Sequence, residues 1–183
     1  MIIQKIETYR LKLPLVEPYR ISLGDVAHFD TIITMVHGED GTGVGETTPL
    51  EGYTWEGIES TWNRVRTIGR ELVGKNITEA KQILDTQASE YPFAATTFLT
   101  ALEDLEGHDF LQAPKQRSEV EILGLMNEKT PTGIEKALPK LLDSGFKTIK
   151  MKIGFNVQDD IEKVRFTQNL LAGKAKLRLD ANQ

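Results

Sequence analysis

From about residue 119 onward the chain alternates between two rhythms. Val120 to Met126, Lys147 to Ile153 and Lys176 to Ala181 read as strands, and the stretches near 131–143 and 157–171 carry apolar residues at helical spacing. The strand centres lie roughly 28 residues apart, the interval of a βα unit, so successive strands pair in parallel through right-handed crossovers. Thr130 and Pro131 suit the N-cap and first position of one helix, and Ser144-Gly145 suits its stop. Pro139, inside that helix, predicts a kink or a late start.

The first part of the chain follows another plan. Ile2 to Leu13 and Thr31 to His37 read as antiparallel strands separated by a proline-flanked loop, and a turn at Asp40-Gly41 leads to a short strand from Val44 to Thr47. Helical spacing then takes over. Thr54 is a candidate N-cap for a helix with Ile58, Trp62, Val65 and Leu72 on one stripe, ended by Gly74. A second helix is expected from a Thr78 cap, and a third from Pro92 with Ala95, Phe98, Leu102 and Leu105 aligned. Strands followed by helices define an α+β domain. The linker Gln112 to Arg117 divides residues 1–114 from 115–183.

Composition narrows the partners. With 39% hydrophobic and 27% charged residues in 183, the chain is an ordinary globular protein with a real core. A net charge of −5 without a Lys/Arg cluster argues against nucleic acid or an anionic membrane and favours a small-molecule partner. No cysteine is present, so any metal must be held by oxygen or imidazole. The N-terminus carries charges every few residues in place of an apolar targeting segment, and no run approaches membrane-spanning length, which gives a cytoplasmic reading. His28, His37 and His108 lack metal-ligand spacing, and Trp55 and Trp62 read as helix-borne core residues. Gly41 to Gly45 reads as a hairpin, because no helix or Lys-Ser/Thr follows and Glu46 would repel a phosphate.

The segment Thr148-Ile149-Lys150-Met151-Lys152-Ile153-Gly154 sets two ammonium groups on one side of a strand and three apolar side chains on the other. Either the lysine side is wet or it faces something negative. The next strand, Leu177-Arg178-Leu179-Asp180-Ala181-Asn182, repeats the parity, with Asp180 and Asn182 on its polar side. Parallel strands are usually apolar on both faces, and active sites in such folds gather at the C-terminal strand ends, where Lys152, Asp180 and Asn182 stand.

These two strand ends, Gly145-Phe146-Lys147 ahead of the first, and the stretches Glu17 to Gly24 and Gly43 to Leu50 together resemble the enolase superfamily, in its muconate-lactonizing, dipeptide-epimerase and mandelate-racemase-like branches. The resemblance runs over nearly the whole chain and implies an α+β capping domain followed by the first strands and helices of an α/β (β/α)8 TIM barrel, truncated. It implies that Lys152 moves the proton alpha to a carboxylate, that Lys150 neutralises the substrate carboxylate, that Asp180 is an Mg²⁺ ligand and that Asn182 supports the site. It also implies a substrate-covering loop containing Tyr19 and Arg20. The chemistry suits these residue types: an enolate needs a cation where charge develops, and a lysine is a base near neutrality only when neighbouring positive charge disfavours its ammonium form. The expected reaction is racemisation or epimerisation of an N-acyl amino acid or dipeptide, with cycloisomerisation and o-succinylbenzoate synthesis as alternatives. A non-catalytic binding or oligomerisation module with a vestigial barrel is the competing class. Further metal ligands and an opposing base are expected from later strands, so this stretch is expected to be inactive or weak by itself, and the complete protein to be a homo-oligomer.

Overall fold

Strands β1 (Lys5–Ile21) and β2 (Gly24–His37) form one long antiparallel ribbon, and β3 (Thr42–Thr47) pairs with the far side of β2. The computed structural model describes residues 1–21, 24–52 and 55–181. The expected loop between the first two strands is therefore largely strand. Its backbone stays extended through Pro14 and Pro18, and the register shifts between Pro14 and Tyr19. Proline's fixed φ is compatible with extended backbone, and its missing N–H is tolerated because β1 lies at the edge of the sheet.

One face of this sheet is covered by helices. Ile32, Thr34 and Val36 of β2 are buried, as are Gly43, Gly45 and Thr47 of β3, each set at the spacing of two that a half-covered strand requires. They pack with α1 (Ile58–Leu72), α2 (Ile77–Ala88) and α3 (Pro92–Leu105), whose buried stripes include Val65, Ile68, Leu72, Leu84, Phe98 and Leu102. Proline at its first turn starts α3, as expected. The starts of the other two helices differ from expectation. Gly57 precedes α1, where it exchanges hydrogen bonds with Ser60, and Thr54 lies outside the described residues. Asn76, two residues before Thr78, caps α2: its side chain accepts from the Glu79 N–H at 2.9 Å and the Glu79 carboxylate returns to the Asn76 N–H at 3.3 Å. Trp62 is partly buried against the core, but Trp55 lies ahead of the first helical turn, off the buried stripe. It is exposed and tilts against the Tyr91 ring.

The second compact unit begins at Gln116, the first ending at Lys115. It contains a parallel sheet of order β4 (Gly124–Met126), β5 (Thr148–Lys152) and β6 (Lys176–Asp180), with α4 (Pro131–Asp143) and α5 (Val157–Leu171) as crossovers. Three residues of the first strand pair with β5, so the strand is shorter than expected and Val120 and Ile122 are exposed ahead of it. Helix α4 has the expected ends: Thr130 Oγ1 accepts from the Gly133 N–H, and Gly145 takes a positive φ just past the stop. It starts on time and continues through Pro139 to Asp143. Met126, Ile149 and Met151 are buried with Ile134, Leu138 and Leu171 in a second apolar core.

Gly45 is fixed by contact rather than by φ. A Cβ there would stand 1.8 Å from the Thr97 carbonyl oxygen, and one at Gly43 would stand 1.9 Å from that of Ala101. The α3 backbone thus lies directly on β3, and neither side can yield without moving a whole element. Gly45→Ala is expected to destabilise the first unit by about 1–3 kcal/mol, the range for overpacking a close contact, read as a lower denaturant midpoint. An unchanged midpoint would refute that close approach.

Candidate active site

Strand alternation places the polar side chains. Because Ile149 and Met151 fill the core under the helices, Lys150 and Lys152 point to the opposite face of β5. Parallel register sets Lys150 beside Arg178 and Lys152 beside Asp180, so all four share that face. The Lys150 Nζ lies 2.8 Å from Asp180 Oδ2, with the two side chains 26% and 27% exposed. Lys150 and Arg178 bring two positive charges against the one carboxylate of Asp180, so the face suits an anion. An ion pair this accessible contributes on the order of 1 kcal/mol or less to stability, so folding alone does not account for setting it at the strands' C-terminal ends.

The exit of β5 is held on two sides. Towards the sheet, the Ile153 N–H donates to the Asp180 carbonyl at 2.9 Å. Towards α5, Asp160 Oδ2 accepts from the N–H groups of Gly154 at 2.8 Å and Phe155 at 3.0 Å. Asp160 Oδ1 accepts from Lys163 Nζ at 2.8 Å, and the same ammonium donates to the Lys152 carbonyl at 3.2 Å. Gly154 makes the turn at φ +97°, a conformation that side chains rarely adopt. Burial by itself would raise the Asp160 carboxyl, but the hydrogen bonds from Lys163, Gly154 and Phe155 outweigh it and hold the group below its ordinary value. Asp160 and Lys163 were not singled out in the sequence. The available signal was an acid and a base one turn apart in the helix that directly follows the lysine strand.

The remaining expected residues are distributed differently. Tyr19 and Arg20 lie on β1 near the ribbon's tip, opposite Val26 and Asp25, in strand rather than loop. Tyr19 is half-buried, and both residues belong to the first unit. Asn182 lies outside the described residues. Among the described residues no group of three or more His, Asp or Glu side chains could hold a metal ion. Asp180 is a hard oxygen donor of the kind Mg²⁺ takes, but it is one ligand of the about six that such an ion fills. The histidines do other work: His37 bonds Glu7 at 2.8 Å and Thr42 at 2.7 Å, His28 stands beside Asp30, and His108 accepts from the Phe110 N–H.

The chain thus consists of an α+β unit followed by parallel βα units, with Lys150, Lys152 and Asp180 on one face of adjacent strands. No protein-family profile matches the chain. Over its whole length it is 25% identical to an N-succinyl-L-Arg/Lys racemase of Bacillus cereus, covering 53% of that protein. A dipeptide epimerase of Enterococcus faecalis V583, solved with Mg and the dipeptide L-Leu-L-Tyr, superposes with a TM-score of 0.84 at 27% identity over 100% of this chain and 54% of that one. The muconate lactonizing enzyme of Pseudomonas putida superposes at 0.79 with 25% identity, again over 100% of this chain and 53% of that one. The homologues are thus dipeptide epimerases and racemases, which are isomerases, and the resemblance to the enolase superfamily stands. The α+β unit and the partial parallel sheet together match the N-terminal half of these structures. The chain spans about half the length of the curated relatives it matches.

The depressed Asp160 pKa has a direction in pH. Its ionised form is favoured by folding, so its stabilisation is present above the ordinary carboxyl value of 3.8 and is lost as pH falls through the lower folded-state value. Asp160→Asn is therefore expected to cost stability at neutral pH and to narrow its gap from the unsubstituted chain as pH drops below about 5, followed by urea midpoints at successive pH values. A gap that stays constant down to acid unfolding would contradict the assignment.

Proposed function

We propose that this chain carries part of the active site of an Mg²⁺-dependent isomerase that moves the proton alpha to the carboxylate of an N-acyl amino acid or dipeptide. The observation that carries the reading is the joint placement of Lys150, Lys152 and Asp180 at neighbouring strand ends, with Lys150 in contact with Asp180. The named activities of the relatives, racemisation and dipeptide epimerisation, support it.

In this reading the unprotonated Lys152 amine takes the α proton. The C–H bond breaks, its electron pair becomes the enolate, and Lys152 becomes an ammonium that can return the proton to the same face of the carbon. Inversion needs a second proton donor on the opposite face. Lys150, with its positive charge on the same face, binds the substrate carboxylate and opposes the charge that builds up on it. Asp180 would serve among the oxygen ligands of Mg²⁺, which when bound supplies positive charge where the enolate develops. A net positive face selects an anionic substrate over a neutral one.

The test is exchange of the α proton into deuterated water, followed by proton NMR with Mg²⁺ and a panel of dipeptides and N-succinyl amino acids. In a chain completed to the relatives' full length, Lys152→Ala is expected to lower exchange by about 10²- to 10⁴-fold while leaving the melting temperature in place. The 183-residue chain by itself is expected to exchange negligibly, since no group of three or more His, Asp or Glu side chains that could hold Mg²⁺ stands among its described residues. A fully active Lys152→Ala variant would remove Lys152 from the chemistry.

A further inference from the structure

Asp160 sits in the first turn of α5, where a carboxylate ordinarily caps the helix, but that task is already filled. The Asn156 side chain accepts from the N–H groups of Gln158 at 3.0 Å and Asp159 at 3.1 Å, and the Asp160 N–H itself donates to the Asn156 carbonyl. Asp160 instead spends both oxygens elsewhere. One takes the amides of Gly154 and Phe155, the two residues that lead away from β5, and the other takes Lys163. Lys163 in turn reaches the carbonyl of Lys152, the proposed base, with its Nζ 5.8 Å from the centre of the Phe155 ring. The Lys163 and Asp160 side chains are 14% and 11% exposed.

A pair this sheltered is an indifferent way to gain stability, because withdrawing both charges from water costs about as much as their attraction returns. What the arrangement does gain is geometric definition. Three hydrogen bonds fix the Lys152 carbonyl and the following turn relative to α5, a fourth joins Lys163 to Asp160 within the helix, and the Ile153 bond to Asp180 fixes the same turn relative to β6. Lys152 is the last residue of its strand, so without these bonds its backbone would be free to fray.

We propose that Asp160 and Lys163 are positioning residues for Lys152, a clasp from helix α5 that sets the amine of the strand's last residue in line with Asp180. The inference rests on the proposed role of Lys152, although its test needs no substrate. The 183-residue chain is labelled with ¹³C-lysine and ¹⁵N, and the Lys152 ¹³Cε–¹Hε resonance and the Gly154 and Phe155 amide exchange rates are followed in Asp160→Asn, Lys163→Met and Lys163→Arg. The first two are expected to move or broaden the Lys152 resonance, to speed exchange at Gly154 and Phe155 by about tenfold or more, and to leave Lys136 on α4 unmoved. Lys163→Arg, which keeps the cation and its donors, is expected to restore the Lys152 resonance. If Asp160→Asn does not fold, Lys163→Met decides, since it leaves the carboxylate and its two amide bonds in place. Faster amide exchange with an unmoved Lys152 resonance would show a merely structural clasp and overturn the proposal, as would failure of arginine to restore the resonance. Failure of the α-proton assay, by contrast, would remove the chemistry of Lys152 and leave this result standing.

Discussion

The burial of Ile149 and Met151 beneath α4 and α5 is the constraint on which the polar site depends. Each such side chain is worth about 1.5–3 kcal/mol when fully buried, whereas the accessible Lys150–Asp180 pair is worth about 1 kcal/mol at most. The apolar face therefore decides which way the strand turns, and the charges follow. A slip of one residue in register would put both lysines in the core and both apolar residues outside, which fixes the register far more firmly than any ion pair could. The charged face is set by the apolar one, so a site can be maintained there without contributing to stability itself.

The first unit rests on a different kind of closeness. Its sheet and α3 meet backbone to side-chain-free backbone at Gly43 and Gly45, and that approach brings Phe98, Leu102 and Ala101 down onto the sheet. Glycine here stands in for the space that a helix occupies, a role that sequence alone presents only as a hairpin rich in glycine. The Asp40-Gly41 turn was legible because turn chemistry is local. The close packing was not, since it depends on a helix that arrives more than fifty residues later, at Thr97 and Ala101.

The same distinction explains what else could be read in advance. The start of α3 and both ends of α4 were legible because caps and helix-starting prolines act within a few residues, as at Thr130-Pro131 and Ser144-Gly145. The face shared by Lys150, Lys152 and Asp180 was legible because a period of two needs only the strand assignment. The extended course of β1 through Pro14 and Pro18 was not, because a proline that breaks a central strand is harmless on an edge, and edge position is a property of the whole sheet. Trp55 misled for a similar reason: its helical spacing from Trp62 meant nothing once α1 began at Ile58.

Asp160 and Lys163 show why a site is more than its charged strand ends. Periodicity reports which face a side chain takes, but not how firmly its backbone is held, and Lys152 occupies the position where a strand is weakest. An aspartate that accepts three hydrogen bonds must be ionised to do so well, and the ammonium that satisfies its second oxygen is the one that reaches back to the Lys152 carbonyl. Charge, loop geometry and strand end are thus coupled through one carboxylate. Under the role proposed for Lys152, the lysine must meet a carbon-bound proton at a fixed distance and loses rate steeply with small misplacements, so the rigidity of this turn bears on that chemistry as directly as the identity of the base.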